Sequence, residues 1–437
     1  MTGPGRSSLY VLVCAFGVSV AGTAMSALAI PWLVLSETGS VGLTGMVGFA
    51  EMAPYVVVQV LSGPLADRIG PKRCCVWGNA IAAVLVCAIP GLSALGKLHF
   101  AVLVGLVALA GAVRGMADTA TAPLIPATAR LGAIRLERAA GLYSGANQTG
   151  RLVGAPLAGA VIAVTSAPAA VLVDGLTFAA AAAAIAALVP AATHTEPIDE
   201  RSHTAGYLAS LGEGLRFIGA DRLLLSLVVV VATANMLGQA LQSVFVPAWV
   251  RDTLHDPASL GLLGGAMNAG ALAGVFAAAW LGPRLPRRVT FSVGYLLGGA
   301  PPFLALATLH TLPPVLVITA VSGVAGGVLN PIIGAVQYER IPAKLQARVL
   351  GAVKASAWTG LPIGSLLGGT LAAHTGLTLA LLSTGSLMLF VTLAPSVLPT
   401  WRQLNTPRNT GSRRIPHHDR PGIWTRQQTT DNRHSSP

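Results

Sequence analysis

The sequence predicts an all-α integral membrane fold, with twelve transmembrane helices arranged as two pseudo-symmetric six-helix bundles (6+6). Three observations predict it. Long apolar runs are separated by short polar links, lysine and arginine fall on alternate links, and one glycine pattern recurs in both halves.

The apolar runs come first. Hydrophobic residues make up 53% of the chain and charged residues 10%, against roughly 25% charged in ordinary soluble domains. Mean hydropathy is +0.68. The runs reach the length of about 20 residues needed to cross a bilayer. In hydrocarbon the backbone must satisfy its own hydrogen bonds, so such runs are helices. The alternating segments of about 10 residues that a β-barrel needs do not occur. Twelve runs fall at about 9–35, 41–62, 74–95, 98–118, 141–165, 168–189, 223–246, 258–281, 289–309, 313–338, 348–372 and 376–398. The first has a signal-peptide look, with Arg6 ahead of it and Ala27-Leu28-Ala29 mimicking a cleavage site. It continues through Ile30 to Leu35, too long for a signal core, and is read as an uncleaved first span. The organisation is then a cytoplasmic N-terminus (1–8), an N-terminal bundle (9–189), a cytoplasmic linker (190–222), a C-terminal bundle (223–398) and a basic tail (399–437) expected to be disordered. Within the linker, residues 207–218 have the apolar spacing of an amphipathic helix on the inner membrane surface.

The basic residues set the orientation. Of the 28 Lys and Arg, 23 lie in the even-numbered links and the two termini, and only Lys97 and Arg251 lie in the odd-numbered links. By the positive-inside rule both termini face the cytoplasm. The same distribution accounts for the net charge of +12: it is a topology signal and an attraction to anionic lipid, not a nucleic-acid patch. Cys14, Cys74, Cys75 and Cys87 lie outside any extracellular segment, so no disulfide framework is expected. Abundant Arg, Ala, Gly and Val suggest a GC-rich bacterial genome and hence a multi-pass protein of the bacterial cell membrane.

The repeat follows. Gly150, Gly154 and Gly159 in the fifth span match Gly360, Gly364 and Gly369 in the eleventh at a constant offset of 210. Arg138 and Arg348 share that offset, and Pro71-Lys72-Arg73 matches Pro286-Arg287-Arg288. Two like halves in parallel orientation imply a pseudo-twofold axis along the membrane normal, a site between the halves near mid-depth, and alternating access by rocking. The glycine rows also have a plainer reading as close helix packing.

Residues 63–73 read Gly-Pro-Leu-Ala-Asp-Arg-Ile-Gly-Pro-Lys-Arg. This resembles the loop between helices 2 and 3 of the major facilitator superfamily of transporters, with Gly63, Asp67, Arg68, Gly70, Lys72 and Arg73 at the matching positions. The resemblance implies a conformational latch, in which Asp67 meets the N-terminal end of helix 11 when the protein is open to the outside. The second-half counterpart, residues 281–288, keeps its bases but has no acid. The fifth span resembles the glycine-proline motif of the drug/proton antiporter branch, except that Ala155 separates Gly154 from Pro156. Arg114 resembles the fourth-span arginine of exporters. The run Val-Asp-Gly-Leu-Thr-Phe around Asp174 resembles the sixth span of the macrolide- and siderophore-exporting branch.

Six ionisable residues fall inside spans: Glu51, Arg114, Asp118, Arg151, Asp174 and Lys354. Charges in hydrocarbon are costly and usually face a cavity or a partner. Arg114 and Asp118, four apart on one helix, are expected either to bridge each other or to serve a gate or proton relay. Glu51 and Arg151 sit near mid-depth and are expected to line the central cavity, Glu51 as a proton-exchangeable carboxylate and Arg151 as a fixed charge. Asp174 is expected in a structural role, and Lys354 either snorkels to the inner surface or meets the acid of the 63–73 loop. Asn147, Gln148, Asn235, Gln239, Gln242, Asn268, Asn330 and Gln337 are candidate pathway residues or helix–helix glue.

The functional expectation is proton-coupled efflux of a small amphipathic organic compound. A metabolite importer and a non-transporting receptor or assembly protein on the same fold remain as alternatives. No Walker loop, metal-protease or nucleophile-elbow motif occurs, so no enzyme activity, no metal and no cofactor beyond the proton gradient are expected. The expected partners are a small-molecule substrate and the lipid bilayer, with no nucleic acid, and the protein is expected to be a monomer.

Overall fold

Satisfying the backbone in lipid leaves helices as the only spanning element for this chain, and the computed structural model is helical accordingly. It describes residues 4–190, 205–281, 286–342, 345–398, 400, 401 and 403. Most of the tail and of the linker before residue 205 lie outside the described residues, as does the Asp67 side chain. The first half holds α1 (Pro4–Thr38), α2 (Val41–Leu61), the short α3 (Gly63–Ile69), α4 (Pro71–Ala94), α5 (Phe100–Leu131), α6 (Leu136–Val164) and α7 (Ala167–Leu188). After α8 (Ala205–Ala220) come α9 (Arg222–Ala240), α10 (Val246–Trp249), α11 (Ala258–Leu281), α12 (Arg287–Gly298), α13 (Pro301–Thr308), α14 (Leu312–Arg340), α15 (Gln346–Thr375) and α16 (Leu377–Val397).

Each expected span is helical, and among the described residues ten spans are long and apolar enough to cross a membrane. The fifth and eleventh, α6 and α15, fall short by composition, not length, since they run 29 and 30 residues and carry the repeated glycines and polar groups. The seventh span continues from α9 through two π-helical turns, Leu241–Phe245 and Val250–Leu254, on either side of α10. Pro247 lies in α10 and withholds a backbone donor from the ladder, which wider turns accommodate. The ninth span breaks between α12 and α13, where Pro301 and Pro302 follow Gly299.

Hydrogen bonds between links show which helix ends share a face. Arg6 donates to Gly132 O, and Lys72 donates to Ala186 O and Val189 O at the end of α7. Arg340 pairs with Asp221, Arg348 with Glu213, and Arg287 with Glu339. These residues belong to the N-terminal segment and the even-numbered links, so both halves present their arginines on one basic face. On the opposite face Arg251 reaches back to Leu35 O and Gly39 O. Asp221 caps α9 by accepting from the amides of Leu223 and Leu224. Burial opposes its charge, but those amides and Arg340 outweigh it and hold the carboxyl below the usual carboxylate range. The linker helix α8 docks on α15, where Gly214 lies against Arg348 O and Ala352, so it is bound to the second bundle beyond simple surface contact.

Two cores fill the first half, around Leu33, Val86 and Phe178 and around Leu12, Leu124 and Ala181. Two more fill the second, around Phe245, Trp249 and Phe303 and around Leu224, Phe291 and Trp401. The repeated glycines do equivalent work in both. Gly150 and Gly154 lie against α1 at Gly17 and Ala21, as Gly360 and Gly364 lie against α9 at Ala232 and Met236. Gly159 abuts Gly261 of α11, as Gly369 abuts Gly45 of α2. The first two glycines of each row therefore close their own bundle, and the third closes one bundle on the other. These inter-bundle contacts, with Ala155 and Pro156 against Gly264 and Gly265 and Gly48 against Ser365, lie in the parts of α2, α6, α11 and α15 nearest the face opposite the arginines.

Overpacking a tight helix contact costs about 1–3 kcal/mol. Gly154→Leu and Gly364→Leu are accordingly expected to lower the thermal stability of the purified protein. Gly159→Leu and Gly369→Leu should instead loosen the seam, read as increased thiol labelling of a cysteine placed at residue 42 without an equal loss of stability.

Candidate functional site

The charged groups gather where α2 and α5 run side by side in the same direction. Gly111 and Gly115 of α5 have no room for a methyl group, because the carbonyls of Glu51 and Tyr55 lie against them. That approach brings two one-turn pairs into register, Glu51 and Tyr55 on α2 against Arg114 and Asp118 on α5. Arg114 Nη1 donates to Glu51 Oε1 at 3.0 Å, with both side chains about one-tenth exposed. The Tyr55 hydroxyl donates to Asp118 Oδ2 at 2.9 Å and accepts from Gln59 Nε2 at 3.0 Å. The Arg114 guanidinium also lies 5.8 Å from the Tyr55 ring centre and 5.7 Å from that of Phe178 on α7, within cation–π range.

This corrects two sequence expectations. Arg114 does not bridge Asp118 along its own helix, because the glycine-lined approach places the Glu51 carboxylate directly in front of it. Glu51, expected as an open cavity carboxylate, is buried at 8% exposure and already paired.

Asp118 holds the more open position. It is half-buried, and Arg114, Lys354 and Arg151 all lie within electrostatic reach of it. Lys354 Nζ sits 4.8 Å from the centre of the Trp358 ring on α15, and that ring stacks on Tyr55 with centres 6.1 Å apart. The site therefore joins the halves: Lys354 and Trp358 from one, Tyr55, Gln59 and Asp118 from the other. Arg151 donates to Asn147 Oδ1 at 3.1 Å. It is itself exposed, and lies between the α6 face that packs on α1 and the face that packs on α11, on a different side of the helix from the exposed Val153, Leu157 and Val164. Gln148 is half-buried beside Asn147. Asn235 donates to Ala357 O and acts as glue between α9 and α15.

In the 63–73 loop, Gly70 adopts φ +96°, a backbone region that disfavours side chains, and so permits the turn from α3 into α4. Lys72 caps the carbonyl end of α7, a favourable place for a cation. Gly63 starts α3, and Arg68 and Arg73 are exposed on the basic face. Asp174 is buried on α7 at 1% exposure. Among the described residues, no three His, Cys, Asp or Glu side chains are grouped to hold a metal ion.

The major facilitator superfamily model matches residues 12–236 and 228–426, so it covers both halves. The chain belongs to the major facilitator superfamily. Among curated members, the multidrug efflux pump Tap of Mycobacterium tuberculosis (strain H37Rv) is 30% identical over 412 residues, covering 93% of this chain and 96% of that protein. Tap of Mycolicibacterium fortuitum is 29% identical over 411 residues, covering 93% and 99%. Among solved structures, a nucleoside transporter NupG variant superposes with a TM-score of 0.72 at 10% identity, over 89% of this chain and 98% of that one. A bacterial homologue of the human lysosomal transporter Spinster gives 0.69 at 14% identity, over 92% and 99%. These likenesses establish a major facilitator fold in which the charged α2–α5 seam belongs to the first half.

Tyr55, Gln59 and Trp358 escaped the sequence reading, and Phe178 entered it only as the last residue of the run around Asp174. One signal for Tyr55 was available: it follows Glu51 by four residues, as Asp118 follows Arg114.

Removing one partner of a buried ion pair costs about 3–5 kcal/mol. Glu51→Gln and Arg114→Gln are each expected to lower thermal stability markedly, and the double variant to lose less than the sum of the two. Thermal unfolding of the four proteins in detergent measures this, and simple additivity would show that the pair is not coupled.

Proposed function

We infer that this protein is a secondary active exporter that moves small amphipathic, aromatic or weakly cationic compounds out of a bacterial cell by alternating access, using the proton gradient. The observation that carries the reading is the site shared between the halves, where Asp118 lies beside the stacked Tyr55 and Trp358 rings. A carboxylate flanked by aromatic faces suits a flat organic cation. A mostly apolar recess in the second half, lined by Leu241, Gln242, Leu263, Met267, Pro302 and Thr319, adds surface for an apolar body. The relationship to pumps named for multidrug efflux supports the outward direction.

The placement follows the arginines. With the basic face in the cytoplasm, both termini are cytoplasmic and the tight seam at Gly45–Gly369 and Gly159–Gly261 closes the outer side. The structure then corresponds to a conformation directed inward, ready to load. α3 packs on α2, α4 and α5 of its own bundle, and a latch through Asp67 onto α15 belongs to the opposite conformation. The domains divide at the linker, into bundles at 9–189 and 223–398. The protein acts as a monomer in the bilayer, needs no bound cofactor and carries out no covalent chemistry.

The proton motive force supplies the energy in this reading, and the three carboxylates Glu51, Asp118 and Asp174 against the two arginines Arg114 and Arg151 in the spans of the first bundle provide places for a proton.

Expression in cells stripped of their native efflux pumps tests this. Resistance to lipophilic cationic drugs should rise severalfold and be abolished by a protonophore. Asp67→Asn should reduce that resistance with membrane insertion intact. Drug accumulation above the level of control cells would instead indicate import.

A further inference from the structure

The first bundle holds a carboxylate that the ion pairs leave over. Asp174 lies on α7, roughly 10 Å from the Ala167 end at the helical rise of 1.5 Å per residue. It is 1% exposed, and neither carboxylate oxygen makes a hydrogen bond. Ser26 Oγ of α1 is the neighbouring hydroxyl and is also without a well-formed hydrogen bond. α1 meets Asp174 at Gly22, where a methyl group would collide with the Thr177 hydroxyl and crowd Asp174 Oδ1, so the carboxyl group is boxed in by backbone.

The ionisable groups around it come from three helices. α4 contributes Cys87, whose sulfur lies against Gly175. α5 contributes Arg114, which sits against the Phe178 ring one turn along α7 from Asp174. α2 contributes Glu51, which already takes the Arg114 hydrogen bond. α6 also packs on α7, but its Arg151 is engaged by Asn147 instead. An ionised carboxylate without a hydrogen bond or a dedicated cation is prohibitively costly at this depth. In the conformation seen, Asp174 is therefore a neutral acid.

Among the described residues, the second half contains no such arrangement. Its equivalent seam, between α11 and α14, closes through Gly323 on Met267 O and Gly327 on Ala271 O. Met267 and Ala271 stand where Glu51 and Tyr55 stand in the first half, and Gly326 and Asn330 stand for Arg114 and Asp118. Internal symmetry thus supplies the packing but not the charges, which a helix bundle does not need in order to pack.

We propose that Asp174 binds the coupling proton, and that Arg114 reads its state by dividing its charge between Glu51 and Asp174. The proton bound to Asp174 leaves as a hydrogen ion, and no other bond changes. The anion left behind competes with Glu51 for one guanidinium, pulling α5 toward α7 and away from α2. Since α2 forms the inter-bundle seam with α15, this links the proton to the closing of the halves. The inference deepens the export reading by naming its proton site.

The test is infrared difference spectroscopy of the purified full-length protein in nanodiscs, titrated with base. It needs no substrate, so it stands apart from the export assay. Wild type should show a carboxylic-acid carbonyl band at neutral pH that is lost on deprotonation, and D174N should lack it. The D118N variant, which retains Asp174 and leaves Arg114 paired with Glu51, should keep it and so provides the test even if D174N fails to insert. Absence of the band in wild type, or its loss in D118N, overturns the proposal. In proteoliposomes, D174N should bind drug as wild type does while its transport no longer responds to an imposed pH gradient. A D174N transporter with intact proton dependence overturns the proposal and leaves the export reading standing, whereas a wild type that moves no drug sinks the export reading and leaves the infrared result intact.

Discussion

Helices in hydrocarbon gain little by burying apolar side chains against each other, because lipid is equally apolar. What they gain is close contact, and here contact is made by backbone meeting backbone at glycine. Gly154 on Ala21 and Gly364 on Met236 hold bundles together, Gly111 on Glu51 and Gly115 on Tyr55 join α2 to α5, and Gly159 on Gly261 joins one bundle to the other. The same chemistry makes the contacts within a bundle and those between bundles. The difference is position: the glycine contacts between bundles gather toward one face.

The glycine contacts also decide where charge can be tolerated. Arg114 survives at one-tenth exposure because the approach of α2 delivers a carboxylate at 3.0 Å and two aromatic faces close by. Once that pair forms, Asp118 turns to Tyr55 and so to the boundary between the halves, and Asp174 remains as an acid without a base. The charge asymmetry of the molecule lies in these few side chains laid over a symmetric scaffold, since the seam between α11 and α14 repeats the glycines without the charges.

Much of this was legible in the chain. Apolar run length and the basic links are local properties, and the physics of the bilayer leaves them one outcome, so the helices and the shared face of their arginines could be read directly. The offset of 210 between Gly150 and Gly360 is legible for the same reason, because a duplicated bundle must solve the same packing problem twice. The site was legible only as a list of ionisable residues. Their pairing was not, because Glu51 and Arg114 stand 63 residues apart, and nothing local distinguishes that contact from a bridge between Arg114 and Asp118. The π-helical turns flanking Pro247 and the docking of α8 on α15 were equally hidden, since both depend on neighbours distant in the chain.

The sequence by itself determined that this is a helical membrane protein of two like halves with its basic even-numbered links on one face, because hydrocarbon imposes those features residue by residue. Tertiary structure alone decided which carboxylate meets Arg114, that Tyr55 and Trp358 close the site between the halves, and that Asp174 is left over. The physical reason is that a buried charge is governed by whatever stands within a few ångströms, and that is set by where helices cross.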